Sequence, residues 1–262
     1  MKTTNPEKVN SSVWENGIRT SATPSEMSWR ERLLELFHNC PIPDDELMAN
    51  LGLFVGRQKL SRILYMHELY RKIVNIHGII AEFGVRWGQN LALFESFRGI
   101  YEPYNYSRKI VGFDTFEGFP SVSEKDGTNS VIRPGAFSVT KGYMEYLETM
   151  MDYHEHESPI GHIKKYELVK GDAAISIEQY LARNPETIIA FAYFDLDIYE
   201  PTKRCLEAIT RHVTKGTVIG FDELSYHDCP GETLAVQEVF GLGRYRIMRS
   251  PLSPHSSWVV IE

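Results

Sequence analysis

The chain has 262 residues, of which 42% are hydrophobic and 24% charged, and a formal net charge of −7. That composition leaves room for one large α/β domain, while the negative balance, with no lysine or arginine run, excludes a general nucleic-acid binder. Three widely spaced cysteines (Cys40, Cys205, Cys229) read as reduced thiols, and no apolar run nears the ~20 residues of a membrane span, so a soluble cytoplasmic protein is expected.

Residues 1–25 are polar and read as a flexible arm. Ser25 is the expected cap of a helix starting at Glu26, with Trp29, Leu33, Leu34 and Phe37 on one face, and "PIPDDE" breaks it. Leu60, Ile63, Leu64, Tyr70, Ile73 and Val74 recur at helical spacing and predict a second long helix over Arg57–Ile76. These N-terminal helices, residues 26–78, either cover the sheet or build a subunit interface of a homodimer or homotetramer.

From Ile79 onward strands alternate with helices. "IIAEFGV", "KIVGFDTF", "YELVKGDA", "IIAFAYFDLD" and "GTVIGFDEL" each lead toward a helix, whereas "YRIMRS" and "SSWVVIE" have none between them and should pair as a hairpin. Near-continuous apolar strands separated by helices mean a parallel sheet covered on both faces. The expected fold is α/β, a doubly wound, mostly parallel seven-stranded Rossmann-like sheet over residues 79–262. An interruption over about residues 117–165, with a helix in "KGYMEYLETMMDYH", is expected to be a lid or substrate loop. Its His154, His156 and His162 read as surface histidines.

In such a sheet ligands bind at the carboxyl ends of the strands, near the point where strand order reverses. Here those ends carry Glu82, Asp114, Asp172, Asp195 with Asp197, and Asp222 with Glu223. Seven converging carboxylates repel one another, so something cationic or rich in donors should occupy the crevice. The loop Glu82-x-Gly84-x-x-x-Gly88 lacks the third glycine of a dinucleotide fingerprint, and Arg86 and Trp87 fill its middle. Glu82 suits an amino-acid ammonium, Gly84 permits close approach, and the helix start beyond Gly88 suits a carboxylate. Asp114 is placed for ribose hydroxyls and Asp172 for an adenine amino group. These residues, with Val85, Arg86, Thr115, Ala173 and Asp195, describe a site for S-adenosylmethionine better than one for NAD.

Asp195, Asp222 and Glu223 from adjacent strand ends could present oxygens to Mg²⁺ and so acidify an acceptor hydroxyl, with Asp197 as base. The alternative is that Asp197 or Glu200 caps the following helix. His227, after the fifth strand, is a second candidate for substrate contact or base.

At "AEFGVRWGQN", "VGFDTFEGFP", "FDLDIYEPT" and "GFDEL" the sequence resembles the macrocin O-methyltransferase (TylF/MycF) family of class I methyltransferases, over roughly Ile79 to Glu262. The resemblance implies methylation of sugar hydroxyls of natural products with S-adenosylmethionine and Mg²⁺. It matches Asp195 and Asp222 to metal ligands, Asp197 to a base and Asp114 to the ribose-binding acid. "DLD" stands where "DGD" is commoner, and Glu223 where the family usually has Asp. An NAD-dependent oxidoreductase and a non-catalytic methyltransferase-fold partner protein are the competing readings.

Overall fold

The structure, a computed structural model, describes residues 22–262. The arm expected over residues 1–25 lies outside the described residues as far as residue 21. The chain divides into two compact units, the first ending at Leu60 and the second running from Ser61 to Glu262.

The first unit contains α1 (Pro24–His38), α2 (Asp44–Leu47) and a 3-10 helix (Met48–Phe54). Thr23, not Ser25, caps α1. Its side chain takes the Glu26 N–H while Glu26 reaches back to the Thr23 N–H, and Pro24 fills the first helical position. This reciprocal T-x-x-E box satisfies two helix-end donors at once, which a cap at Ser25 could not do. None of the residues in these three elements is buried.

α3 (Arg57–Ile73) crosses into the second unit and buries Tyr65, Met66, Leu69, Tyr70 and Ile73 at helical spacing. It stops three residues before the expected end. The buried Arg108 donates to the Ile73 and Ile76 carbonyls at 3.0 and 2.8 Å, satisfying the helix end with a side chain.

The strands are β1 (Ile79–Phe83), β2 (Ile110–Asp114), β3 (Tyr166–Lys170), β4 (Ile189–Phe194), β5 (Val213–Phe221), β6 (Met248–Arg249) and β7 (Ser257–Val260). They form one seven-stranded sheet in the order β3-β2-β1-β4-β5-β7-β6. β1 to β5 pair in parallel, and β7 runs antiparallel to both β5 and β6, as the hairpin reading required. Strand order reverses between β1 and β4.

The helices following β1 to β5 are α4 (Gln89–Tyr101), α5 (Tyr143–Glu157), α6 (Ala173–Arg183), α7 (Tyr199–Ile209) and α8 (Gly231–Val239). One core lies between the sheet and α6, α7 and α8, and another between the sheet and α3, α4 and α5. Across the first runs a row of buried rings, Phe113, Phe83, Phe194 and Phe221, with successive centroids 5.1, 4.7 and 5.6 Å apart. These four are aligned in register on neighbouring strands, so their packing fixes the strand ends just beyond them.

The insertion after β2 is tied down at two points. The buried Asp126 accepts the Tyr199 N–H at 2.5 Å, pinning the insertion to the start of α7. Glu155 of α5 takes Arg98 Nη2 at 2.7 Å and the Lys165 N–H at 2.8 Å, and pairs with the Lys165 ammonium. No helix among the described residues is long and apolar enough to cross a membrane.

Candidate active site

Five strand ends lie side by side at the carboxyl edge. The Gly171 N–H bonds the Asp114 carbonyl, Gly84 bonds Phe113, Asp195 bonds Phe83 and Asp222 bonds Phe194, at 2.8 to 3.0 Å. The acids read from the sequence therefore converge around the β1/β4 reversal, as the sheet order demands.

Gly84 has φ +91°, and a Cβ there would overlap the Asp195 carbonyl oxygen. Its glycine is thus required by the neighbouring strand end, a reason distinct from ligand approach. Gly88, at φ +75°, begins α4 without a side-chain cap, and a Cβ would run into Leu147 of α5. Asp114 organises the loop between them. Its Oδ2 accepts the N–H groups of Val85 and Arg86 at 2.7 and 2.8 Å, and its Oδ1 that of Phe116 at 2.5 Å. Thr115 closes the next turn by donating to the Gly118 carbonyl at 2.7 Å. Asp172 caps α6 by accepting the Ala174 N–H at 2.9 Å, with Ala173 buried beside it.

Glu82 is buried. Its Oε1 accepts from Asn90 at 2.7 Å, while its Oε2 has no partner. Burial pushes this carboxyl well above the usual range, against the Asn90 hydrogen bond that lowers it. A buried carboxylate oxygen without a donor is costly unless a ligand supplies one. Arg86, at φ +49°, lies over the Phe137 ring of the insertion at 5.0 Å and has an unpartnered, buried Nε.

The second acid group holds a cation of its own. Arg62, from the second turn of α3, gives Nη2 to Asp195 Oδ2 at 2.6 Å and Nη1 to Asp222 Oδ1. Tyr193 also donates to Asp222 Oδ1 at 2.8 Å. Burial, then the Asp222 carboxylate, push Asp195 up to about 7 despite Arg62. The Glu223 carboxyl is also pushed up to about 7, by burial and then Asp222 and Asp195, and its Oε2 has no partner. Asp197 sits in the left-handed region at φ +60°, and burial followed by Asp195, Glu223 and Asp222 pushes it well above the carboxylate range.

The expected Mg²⁺ set of Asp195, Asp222 and Glu223 does not fit this arrangement. A guanidinium fork occupies the two aspartates, and no three of the described His, Cys, Asp or Glu side chains are placed to hold a metal. The capping alternative is also absent, because α7 starts from Ile198 with no side-chain cap bond. His227 is exposed on the loop after β5.

Besides Arg62, sequence reasoning missed Glu232. This buried residue of α8 accepts the Leu196 and Glu223 N–H groups at 3.2 and 3.3 Å, joining the loops after β4 and β5. No periodic signal marks either residue, since each reads as an ordinary helix-surface charge.

Neither the family models searched nor the curated proteins give a match. Among solved structures, CalS11, a calicheamicin methyltransferase, is 41% identical over 99% of both chains with a TM-score of 0.90. An apo structure of CalS11, described as a TDP-rhamnose 3'-O-methyltransferase of calicheamicin biosynthesis, matches at 41% identity over 92% of this chain and 96% of that one, with a TM-score of 0.81. The O-methyltransferase NovP shares the fold at 17% identity, covering 76% and 79% of the two chains with a TM-score of 0.58. The chain belongs to the O-methyltransferase family that includes CalS11, and is an S-adenosylmethionine-dependent methyltransferase.

Proposed function

We propose that the protein methylates a hydroxyl of a sugar, carried on a nucleotide or a glycosylated natural product. The similarity to CalS11 supports this acceptor class. The macrocin (TylF/MycF) assignment remains part of this proposal, resting on the motifs quoted above. The observation that carries the cofactor site is the partnerless, buried Oε2 of Glu82 at the strand-order reversal. An ammonium group would satisfy it, and the phosphates of a dinucleotide would be repelled.

S-adenosylmethionine supplies the methyl group already activated on a sulfonium. Glu82 would hold the ammonium, and the uncapped start of α4 beyond Gly88 would receive the carboxylate. Asp114 has spent three acceptor positions on backbone N–H groups, and its Oδ1 keeps one for a ribose hydroxyl. Val85, Arg86, Thr115, Asp172, Ala173 and Asp195 complete the wall. Asp197, held at φ +60° just beyond β4, accepts the proton as the acceptor oxygen attacks. His227, exposed on the loop after β5, is the second candidate for contact with the acceptor. The insertion over residues 117–165 forms the acceptor's cover, fixed at Asp126 and Glu155.

Calorimetry separates this reading from the oxidoreductase. S-adenosylhomocysteine should bind and NAD should not, and Glu82→Gln should weaken S-adenosylhomocysteine binding by roughly 10-fold or more, as for loss of a charge-assisted bond. Tight NAD binding with no S-adenosylhomocysteine binding would end it. We further propose that the protein works as a homodimer or homotetramer, because the helices preceding Val55 bury no residue and leave Trp29, Met48 and Leu53 at least 67% exposed. A monomeric mass in light scattering would contradict that.

A further inference from the structure

We infer that Arg62 is the resident cation of the crevice, and that its guanidinium and a divalent ion exclude each other at Asp195 and Asp222. Two carboxylates from neighbouring strands face one another at the edge of the sheet, and each is bonded to a different nitrogen of the same guanidinium. The fork is held from behind. Tyr65 and Met66, three and four residues along α3, are buried in the core, which fixes the helix face from which Arg62 projects. The Tyr193 ring lies 5.7 Å from the guanidinium carbon, and the Tyr193 hydroxyl takes a share of Asp222 Oδ1.

A hard divalent ion needs these same oxygens at about 2.1 Å in near-octahedral array. Entry would break both charge-assisted bonds and bring a dication against a guanidinium. The third carboxylate stands apart from the fork, since Glu223 carries an extra methylene and its Oε2 bonds neither Arg62 nor any other donor among the described residues. The Arg62 side chain is 28% exposed, so it can be displaced toward water or removed without opening the core. This role differs from that of a surface ion pair, because the one Arg62 guanidinium bonds two of the converging acids at once.

The test needs neither acceptor nor turnover, so its outcome is independent of the methyl-transfer reading. Mn²⁺ binding to the full chain is measured by electron paramagnetic resonance and calorimetry, with circular dichroism as a check of folding. Arg62→Gln should bind Mn²⁺ at least ~10-fold more tightly than the wild type, given two charge-assisted bonds no longer to be broken. Arg62→Lys, which keeps the charge and loses the fork, should fall between them and serves if the glutamine variant unfolds. Adding Asp195→Asn to Arg62→Gln should abolish the gain. Equal or weaker Mn²⁺ binding by Arg62→Gln, a gain that survives Asp195→Asn, or a wild-type crystal with Mn²⁺ on both aspartates and Arg62 in place would overturn the inference.

Discussion

Replacing Gly84 by valine is expected to cost about 2–6 kcal/mol of folding stability, because a strained backbone and an overpacked contact each contribute ~1–3 kcal/mol. The residue sits at φ +91°, and its missing Cβ is the space taken by the Asp195 carbonyl oxygen on the adjacent strand end. A side chain there must push β1 and β4 apart where strand order reverses, immediately beyond the stacked Phe83 and Phe194 rings. Such a loss is a large part of the ~5–15 kcal/mol that holds an ordinary domain together. Urea unfolding of wild type, Gly84→Ala and Gly84→Val should show midpoints falling in that order. A valine variant as stable as the wild type but blind to S-adenosylhomocysteine would mean that the glycine serves ligand approach alone.

The second large effect is on rate. Asp197→Asn should lower turnover roughly 10²–10⁴-fold, the usual contribution of a positioned general base, while leaving S-adenosylhomocysteine affinity within a few-fold. Asparagine keeps the left-handed backbone that Asp197 adopts at φ +60°, since both residues tolerate it, so the comparison isolates the carboxylate. His227→Ala, altering an exposed loop residue, should change turnover only a few-fold. Single-turnover methyl transfer measures both, and a His227 effect larger than that of Asp197 would reassign the base.

Much of the scaffold was legible in the sequence because a sheet covered on both faces demands unbroken apolar runs. Each of the five runs leads into an acid, so the crevice and its surplus of negative charge are readable in the sequence itself. The need for a cation there was also legible; its source was not. Arg62 precedes Asp195 by 133 residues and sits among helix-surface charges, so only the packing of α3 reveals which face it presents. Gly84 shows the same limit in another form. A glycine after a strand is visible in sequence, but the strand that crowds it belongs to a distant part of the chain. The cap of α1 is different, because Thr23 and Glu26 form a readable T-x-x-E box with Pro24 between them, and Ser25 drew the assignment only by lying nearer the apolar stripe.

The reaction proposed for this site is methyl transfer to a sugar hydroxyl. The most direct measurement is mass spectrometry of products after incubation with methyl-labelled S-adenosylmethionine and a panel of nucleotide sugars and glycosides. Label is expected on one sugar oxygen of a preferred acceptor, with one equivalent of S-adenosylhomocysteine per methylated product. Label transferred to a nitrogen or carbon atom, or no labelled sugar from folded protein that binds the cofactor, would contradict it.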